Sequence, residues 1–373
     1  SANVSGFLGT ERITLNDNLL RRSSLPEIEA VMAHEMGHYV LNHVYEGILE
    51  LGLVIVAGFF FLRRGMDWAL ARWGVRRVVL PLDRTGTHPL RDLALLRALR
   101  WLMRAERPDA LLAYTAKPVI YGLLAAAATG VPRKVALITG LGFAFLPARS
   151  VVQSALQRIT RGLYRLALRY ADVVLFQNAD DEQVFRDLGL LRPDVNVRRV
   201  AGSGVNLERY ARQPLPPGPP CFLLIARLLI DKGVGEYLDA AARLHAEGAG
   251  VRCELVGPLE AHPAAIDAAR IERAVAAGAI AWHGAVRDVR PHLAACHVYV
   301  LPSYREGMPR TVLEAMAVGR PVITTDAPGC RDTVELGVNG ARVPVADAAA
   351  LYREMKRFAA LPRAELERMA DAS

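Results

Sequence analysis

Residues 298–323 read VYVLPSYREGMPRTVLEAMAVGRPVI, and this stretch predicts a strand, a loop, a helix and the start of a second strand. Its first residues, Val298, Tyr299 and Val300, are β-branched or aromatic, which is typical of a strand buried on both faces. The apolar run ends at Leu301. Pro309 suits the first position of a helix, and Gly319 suits its end. A strand, helix and strand in this order form the repeating unit of a parallel α/β sheet.

The same alternation extends over the chain from residue 76 onward. Short apolar runs separated by Ala/Leu/Arg-rich helical segments predict strands at Val78–Leu82, Ala110–Tyr114, Val135–Thr139, Val173–Gln177, Phe222–Ala226, Arg252–Val256, His297–Leu301 and Pro321–Thr325. Continuous rather than alternating apolar strands indicate parallel sheets covered by helices.

Two positions divide the chain. The composition changes near residue 75, and Arg212–Pro220 carries five prolines in nine residues, which favours a stiff extended linker. We therefore predict three segments, 1–75, 76–212 and 213–373.

Composition narrows the class of protein. Lys+Arg 46 against Asp+Glu 38 gives a net charge of +8, which fits a solvated basic surface, an anionic membrane surface or a phosphate-bearing substrate. No basic run is interleaved with aromatic residues, which argues against nucleic acid. The 4 cysteines show no C-x-x-C spacing, and we predict that they are reduced core residues.

An apolar segment at 47–62 raises the question of a membrane. It has 16 residues, fewer than the roughly 20 that a full span needs. Arg63 and Arg64 follow at once, and Trp68 and Trp73 lie where interfacial anchors would. Both a membrane helix and a soluble core helix remain open, and the flanking residues favour the membrane.

Upstream, residues 34–38 read HEMGH. On a helix, His34 and His38 share one face and can chelate one ion, and Glu35 can take a proton from a metal-bound water. With residues 6–17, GFLGTERITLND, and the apolar helix, residues about 3–73 resemble the CAAX-prenyl-protease-like membrane zinc peptidases.

That resemblance implies zinc on His34 and His38 with Glu35 as the catalytic base. The family's third ligand, a glutamate on a later helix, has no counterpart in the sequence, although catalytic zinc takes three protein ligands. A segment without proteolytic activity, a weak zinc site and a working peptidase remain alternatives, and we expect the first.

A second constellation follows two of the predicted strands. Arg227 and Lys232 follow the strand at 222–226, and two cations beyond a strand's carboxyl end suit a diphosphate. Glu306 precedes the N-terminus of a helix, which attracts anions, and Glu314 lies about two turns further on. One acid can then meet a sugar while the other meets the hydroxyls of a ribose.

With 321–330, PVITTDAPGC, and 335–340, ELGVNG, these residues make 76–373 resemble the family 4 glycosyltransferases of the GT-B fold. The resemblance implies two Rossmann-like parallel-sheet domains, with Arg227 and Lys232 on the nucleotide diphosphate, Glu314 on the ribose and Glu306 on the reacting sugar. It also implies retention of anomeric configuration and no metal or other cofactor for glycosyl transfer. The remaining donor-binding residues that it implies are Gly307, Met308, Pro309, Arg310 and Thr311.

Residues 117–122, KPVIYG, and 138–145, ITGLGFAF, resemble the subgroup that adds N-acetylhexosamines to lipid-diphosphate-linked sugars, which implies an acceptor-side loop at Thr139, Gly140 and Gly142. The opening strand, Gly-rich loop and helix of that family's first domain have no counterpart, because residues 1–75 stand in their place. We also expect its closing helix to be missing.

The sequence therefore predicts a retaining glycosyltransferase that uses a nucleotide-diphosphate sugar, with UDP as the expected nucleotide. The expected acceptor is a lipid-linked or polysaccharide-precursor glycan at the cytoplasmic face of the bacterial inner membrane. A zinc-dependent membrane metallopeptidase, or an inactive composite chain that only binds nucleotide, remains the alternative.

Overall fold

The structure is a computed structural model that describes residues 2–7, 10–15, 76, 78–82, 88–141, 145, 151–259 and 264–373. The chain divides into two compact units, Ser1–Gly204 and Val205–Ser373. Four of the predicted features fall outside the described residues: the zinc-site residues His34, Glu35 and His38, the apolar segment 47–62, the arginines that follow it, and Gly142.

The described part of the first unit holds two sheets. Strands β1 (Ala2–Phe7) and β2 (Thr10–Leu15) form an antiparallel pair in which Ala2 lies opposite Leu15. The second sheet is parallel, in the order β3-β4-β5-β6. Its elements are α1 (Pro89–Glu106), β3 (Ala110–Tyr114), α2 (Ala116–Thr129), β4 (Arg133–Ile138), α3 (Val151–Leu168), β5 (Val173–Phe176), α4 (Ala179–Asp187) and β6 (Asn196–Arg199).

The core of this unit is built by rings and aliphatic side chains between the sheet and its helices. Phe185 of α4 meets the ring of Phe176 edge-on at 5.2 Å and that of Tyr164 at 5.4 Å, and all three side chains are buried. Edge-to-face packing of this kind adds about 0.5–1.5 kcal/mol per pair beyond the area that it buries.

The second unit is a six-stranded parallel sheet in the order β12-β11-β10-β7-β8-β9. The chain builds outward from β7 to β9 on one side, returns to the other side of β7 with β10, and continues to β12. Its elements are β7 (Cys221–Ile225), α5 (Val234–Ala246), β8 (Arg252–Val256), α6 (Ala268–Ala276), β9 (Ala281–Trp282), α7 (Arg290–Ala295), β10 (Val298–Leu301), α8 (Arg310–Ala317), β11 (Val322–Thr325), β12 (Gly340–Val343), α9 (Ala348–Ala359) and α10 (Arg363–Asp371).

The α/β prediction is confirmed, as are seven of the eight predicted strands to within two residues at each end. The predicted strand at 78–82 is wrong: those residues form no strand, and Leu82 donates instead to the carbonyl of Leu80. Exposed and half-exposed residues alternate there, so the run lacks the two-sided burial that stabilises a parallel strand. The sequence analysis did not predict β1 and β2, which lie in the segment 1–75, nor β6, β9 and β12, which are short or rich in Arg and Gly.

The proline-rich segment 212–220 lies within the second unit, after the division at Gly204. It forms no helix or strand, as its prolines predict. Arg320, which is fully buried, donates at 3.1 Å to the carbonyls of Gln213 and Pro214, and Leu215 is also buried. These contacts hold the segment against the six-stranded sheet of the second unit. All four cysteines are free and buried, and burial raises the pKa of Cys221, Cys253 and Cys330 to about 12.

Candidate functional site

The strand order of the second unit places a crevice beyond the carboxyl ends of β7 and β10. These two strands are neighbours in the sheet, but the chain leaves them toward opposite sides. In open parallel sheets this is the topological switch point, where ligands bind. Arg227 and Lys232 follow β7, and Glu306 follows β10.

Lys232 and Glu306 meet at this edge. Lys232 Nζ lies 2.6 Å from Glu306 Oε1, and the hydroxyl of Ser303 donates to the same oxygen at 2.7 Å. The side chains of Lys232 and Glu306 are only 16% and 17% exposed, so the pair is sheltered from solvent. One cation and one anion are therefore held together at the switch point.

Glycines allow the loops around this pair to approach closely. Gly233 has φ +68° and lies against the carbonyl of Pro302, where a Cβ would collide with backbone. Gly329, with φ +75°, lies against the carbonyls of Glu306 and Gly307 in the same way. The amide of Tyr304 also donates to the carbonyl of Asp231 at 2.8 Å. The loops after β7, β10 and β11 are thus packed backbone to backbone.

Glu314 lies on α8 and is buried, with only 4% of its surface exposed. Its carboxylate accepts from Arg310 Nε at 2.9 Å and from the hydroxyl of Tyr210. Burial raises the pKa of Glu314 above its ordinary value, and the contacts to Arg310 and Tyr210 offset only part of this effect. Glu314 is therefore not a solvated surface residue of the helix.

The other predicted donor-site residues surround this edge. Arg227 is exposed in the loop after β7, Met308 is half-buried, and Gly307 is buried. Pro309 is the residue that precedes α8, one position earlier than predicted, and Thr311 contacts the hydroxyl of Tyr299. Ser303 and Tyr210 were not singled out from the sequence. Ser303 could have been, since it directly follows the strand end, whereas nothing local to Tyr210 indicates its contact with Glu314.

In the first unit, Thr139 and Gly140 follow β4, and Thr115 follows the adjacent β3. Gly140 has φ +133°, and Thr115 has φ +67°, which is a strained conformation for a β-branched residue. Lys117 and Tyr121, from the motif at 117–122, both bind Asp92 of α1, at 2.6 and 2.9 Å. These two contacts hold α2 against α1.

The described residues contain no helix with the length and apolar character to cross a bilayer. Because segment 47–62 lies outside them, its predicted membrane insertion stays a prediction. The same holds for zinc at His34 and His38. The HEMGH motif supplies two imidazoles, one ligand short of a catalytic zinc site, and so does not by itself make a peptidase centre.

Comparison with protein families separates the chain into the two classes that the motifs predict. Residues 219–360 match the family model "Glycosyl transferases group 1", and residues 72–178 match "Glycosyl transferase 4-like". Residues 1–101 match "Peptidase family M48", which overlaps the second match over 72–101. Residues 72–178 and 219–360 are therefore similar to glycosyltransferases, and the two parallel α/β sheets fit the GT-B fold.

Individual relatives fall into the same two classes, glycosyltransferase and peptidase. The chain is 27% identical over 280 residues to the N,N'-diacetylbacillosaminyl-diphospho-undecaprenol alpha-1,3-N-acetylgalactosaminyltransferase of Campylobacter jejuni, and the match covers 72% of each chain. It is 37% identical over 99 residues to the uncharacterized metalloprotease YhfN of Bacillus subtilis, covering 26% of this chain and 22% of that one.

A solved structure, Anabaena Alr3699/HepE in complex with UDP, aligns with a TM-score of 0.63 at 20% identity and covers 83% of both chains. At this identity the likeness supports the fold alone. The GT-B architecture predicted from the sequence is confirmed.

Proposed function

We propose that the chain transfers a sugar from a UDP-sugar to a lipid-linked glycan, with retention of anomeric configuration. The observation that carries this proposal is the ion pair of Lys232 and Glu306 at the switch point of the second unit's six-stranded sheet. A cation and an acid held together there match the two chemical parts of a sugar nucleotide, its diphosphate and its polyhydroxylated ring.

The diphosphate binds Lys232, Arg227 and the N-terminus of α8. Lys232 has three N–H donors, of which one contacts Glu306, and Arg227 offers a planar fork suited to phosphate oxygens. The first N–H groups of α8 lack intrahelical acceptors, and the helix dipole there favours anions. These groups stabilise the negative charge on the diphosphate as it leaves with the electron pair of the broken C1–O bond.

The sugar and the ribose bind the two glutamates. Glu306 lies in the loop beside Lys232 and accepts hydrogen bonds from hydroxyl groups of the donor sugar. Glu314 has two carboxylate oxygens, which match the two neighbouring hydroxyls of a ribose. The acceptor hydroxyl bonds to C1 on the face from which the diphosphate leaves, which retains the configuration, and its proton passes to an oxygen of the leaving diphosphate. No metal or other cofactor is needed to neutralise the leaving group.

The acceptor binds at the carboxyl edge of the first unit's parallel sheet, at Thr139 and Gly140. A strained Thr115 at the same edge supports a functional loop, because backbone strain concentrates at such sites. The relative from Campylobacter jejuni is named for an undecaprenol-diphosphate-linked acceptor and an N-acetylgalactosaminyl donor group. An N-acetylhexosamine and a polyprenyl-diphosphate acceptor are therefore the first candidates.

A lipid-linked acceptor requires contact with a membrane surface, which we place at the cytoplasmic face of the bacterial inner membrane. Helix α1 supports this contact, since Leu90, Leu93 and Trp101 are 70%, 40% and 68% exposed along one stripe. Arg97 and Arg104 lie exposed on the same stripe. Apolar side chains with a tryptophan and arginines suit the headgroup region of an anionic bilayer.

A transfer assay tests the proposal. The purified full chain is incubated with radiolabelled UDP-N-acetylhexosamines or UDP-hexoses and a polyprenyl-diphosphate-linked sugar, and the lipid phase is counted. We expect label in the lipid phase with at least one donor, and its loss in Lys232→Ala. Equal transfer by wild type and Lys232→Ala would contradict the proposed site.

A further inference from the structure

Away from the switch-point residues, the second unit brings two histidines and one glutamate together. Glu254 lies in β8, His283 directly follows β9, and His292 lies in α7. One ligand atom from each of the three residues lies within 4.8 Å of the other two. Neither the donor site nor the peptidase motif accounts for this cluster.

The spacing of these atoms suits a small cation. Glu254 Oε2 lies 3.3 Å from His283 Nε2 and 3.6 Å from His292 Nδ1. With metal–ligand bonds of roughly 2.0–2.1 Å, neighbouring corners of a tetrahedral site are about 3.3 Å apart. Both distances from the carboxylate are therefore close to the spacing that an ion between the ligands would require, and the two imidazole ligand atoms lie within 4.8 Å of each other.

Backbone pairing in the sheet holds two of the three ligands, Glu254 and His283. Glu254 pairs with Ala281 of β9 in the sheet, and the amide of His283 donates to the carbonyl of Leu255 at 2.9 Å. The thiol of Cys221 lies 3.6 Å from the other carboxylate oxygen, Oε1, which directs Oε2 toward the imidazoles. The site is thus oriented by partners outside it, as metal ligands in proteins commonly are.

Among the described residues, the side-chain partners of the Glu254 carboxylate are the two histidines and the thiol of Cys221, none of which carries a permanent positive charge. The side chain of Glu254 is 14% exposed, and within the described part of the chain no arginine or lysine forms a salt bridge with it. Next to His292, Arg290 forms a two-bond ion pair with Asp288, which holds the pKa of Asp288 below its ordinary value. A divalent ion would neutralise Glu254 and join β8, β9 and α7.

We propose that Glu254, His283 and His292 bind a divalent first-row transition ion, with Zn²⁺ as the ion that two imidazoles and one carboxylate suit best. The ion holds the two-residue edge strand β9 and the short helix α7 to β8. The fourth position of the tetrahedron takes water, and His283, which is exposed, gives the ion access from solvent.

The test uses the full chain carrying His34→Gln and His38→Gln, so that the HEMGH motif cannot contribute. Zn²⁺ is titrated against a chromophoric chelator, and Co²⁺ is added separately to record its ligand-field absorption. We expect one equivalent of Zn²⁺ and a tetrahedral Co²⁺ spectrum. Adding His283→Gln or Glu254→Gln weakens Zn²⁺ binding at least about tenfold.

The matched control is His245→Gln, which removes an exposed histidine of α5 in the same unit and leaves Zn²⁺ affinity unchanged. The circular-dichroism spectrum and thermal unfolding of each variant report whether it is folded. If the His34→Gln/His38→Gln chain binds no equivalent of Zn²⁺, or binds it equally well after His283→Gln, the proposal is overturned. The first outcome needs no substitution at Glu254, His283 or His292. It therefore tests the proposal even if a chain with such a substitution fails to fold.

Discussion

Lys232 Nζ and Glu306 Oε1 lie 2.6 Å apart, although 74 residues separate them in sequence. The pair joins the loop after β7 to the loop after β10 at the topological switch point of the second unit's six-stranded sheet. Each residue also has a proposed role toward the donor, Lys232 on the diphosphate and Glu306 on the sugar. The ion pair orients both side chains before a substrate arrives, which lowers the entropic cost of assembling the site.

Replacing Glu306 by Gln should separate turnover from binding. The amide keeps the shape but cannot stabilise developing positive charge on the sugar, so we expect kcat to fall by roughly 10²–10³-fold. UDP affinity should hold or rise, because Lys232 loses an anionic partner and its full charge faces the diphosphate. Steady-state kinetics and UDP titration check this, with Glu272→Gln on the exposed face of α6 as control. If Glu306→Gln lost UDP binding but kept kcat, Glu306 would bind the nucleotide and would not act on the reacting sugar.

Gly329→Ala tests the close packing of the loops. Both Gly329 and Gly337 have φ near +75°, so alanine at either costs about 1–2 kcal/mol of stability through backbone strain. Only at Gly329 does the new Cβ meet the carbonyls of Glu306 and Gly307, whereas at Gly337 nothing lies within 4 Å. We expect kcat to fall by up to about 100-fold in Gly329→Ala alone. Equal kcat in the two variants would mean that the Glu306 loop is not held by this contact.

Glu314 should make the stability of the folded protein depend measurably on pH. Burial raises its pKa in the folded state above the ordinary value of 4.5, so folding favours the protonated form. Its contribution to stability is present below the unfolded-state pKa and is lost as pH rises through the folded-state pKa. Measured by denaturant unfolding from pH 4 upward, wild type should therefore lose stability relative to Glu314→Gln. A difference between the two that stays constant with pH would contradict this.

The N-terminal segment should not cleave peptides. Only His34 and His38 are available from the HEMGH motif, and a zinc-bound hydroxide needs three protein ligands. We expect no zinc-dependent peptidase activity from the purified chain, and no difference between wild type and Glu35→Gln. Peptide cleavage that chelator and Glu35→Gln both abolish would require a third ligand that the sequence does not identify.

The sequence predicted the second unit well because its local signals agree with its fold. Continuous apolar runs marked β7, β8, β10 and β11, and the proline and glycine around α8 marked the bounds of that helix. Lys232 and Glu306 could be assigned to one site because parallel strands end at the same edge.

What the sequence could not predict depends on contacts between distant segments. Besides Arg310 on its own helix, Glu314 contacts the distant Tyr210, and Glu254 contacts a pair of histidines on two other elements. No spacing rule connects these distant partners. Strand β9 has only two residues, Ala281 and Trp282, and depends on its pairing with β8. Conversely, 78–82 has strand-like composition but lacks burial on both faces, and it stays irregular.

The central claim, a nucleotide-diphosphate site at the switch point, is tested most directly by calorimetric titration of UDP into the full chain and its Arg227→Ala variant. Hydrogen bonds to charged groups contribute about 1.5–3 kcal/mol, so the variant should bind roughly 10–150-fold more weakly. Arg273→Ala, which removes an exposed arginine from α6, should bind UDP like wild type. Unchanged UDP affinity in Arg227→Ala, or no UDP binding by the wild-type chain, would contradict the account.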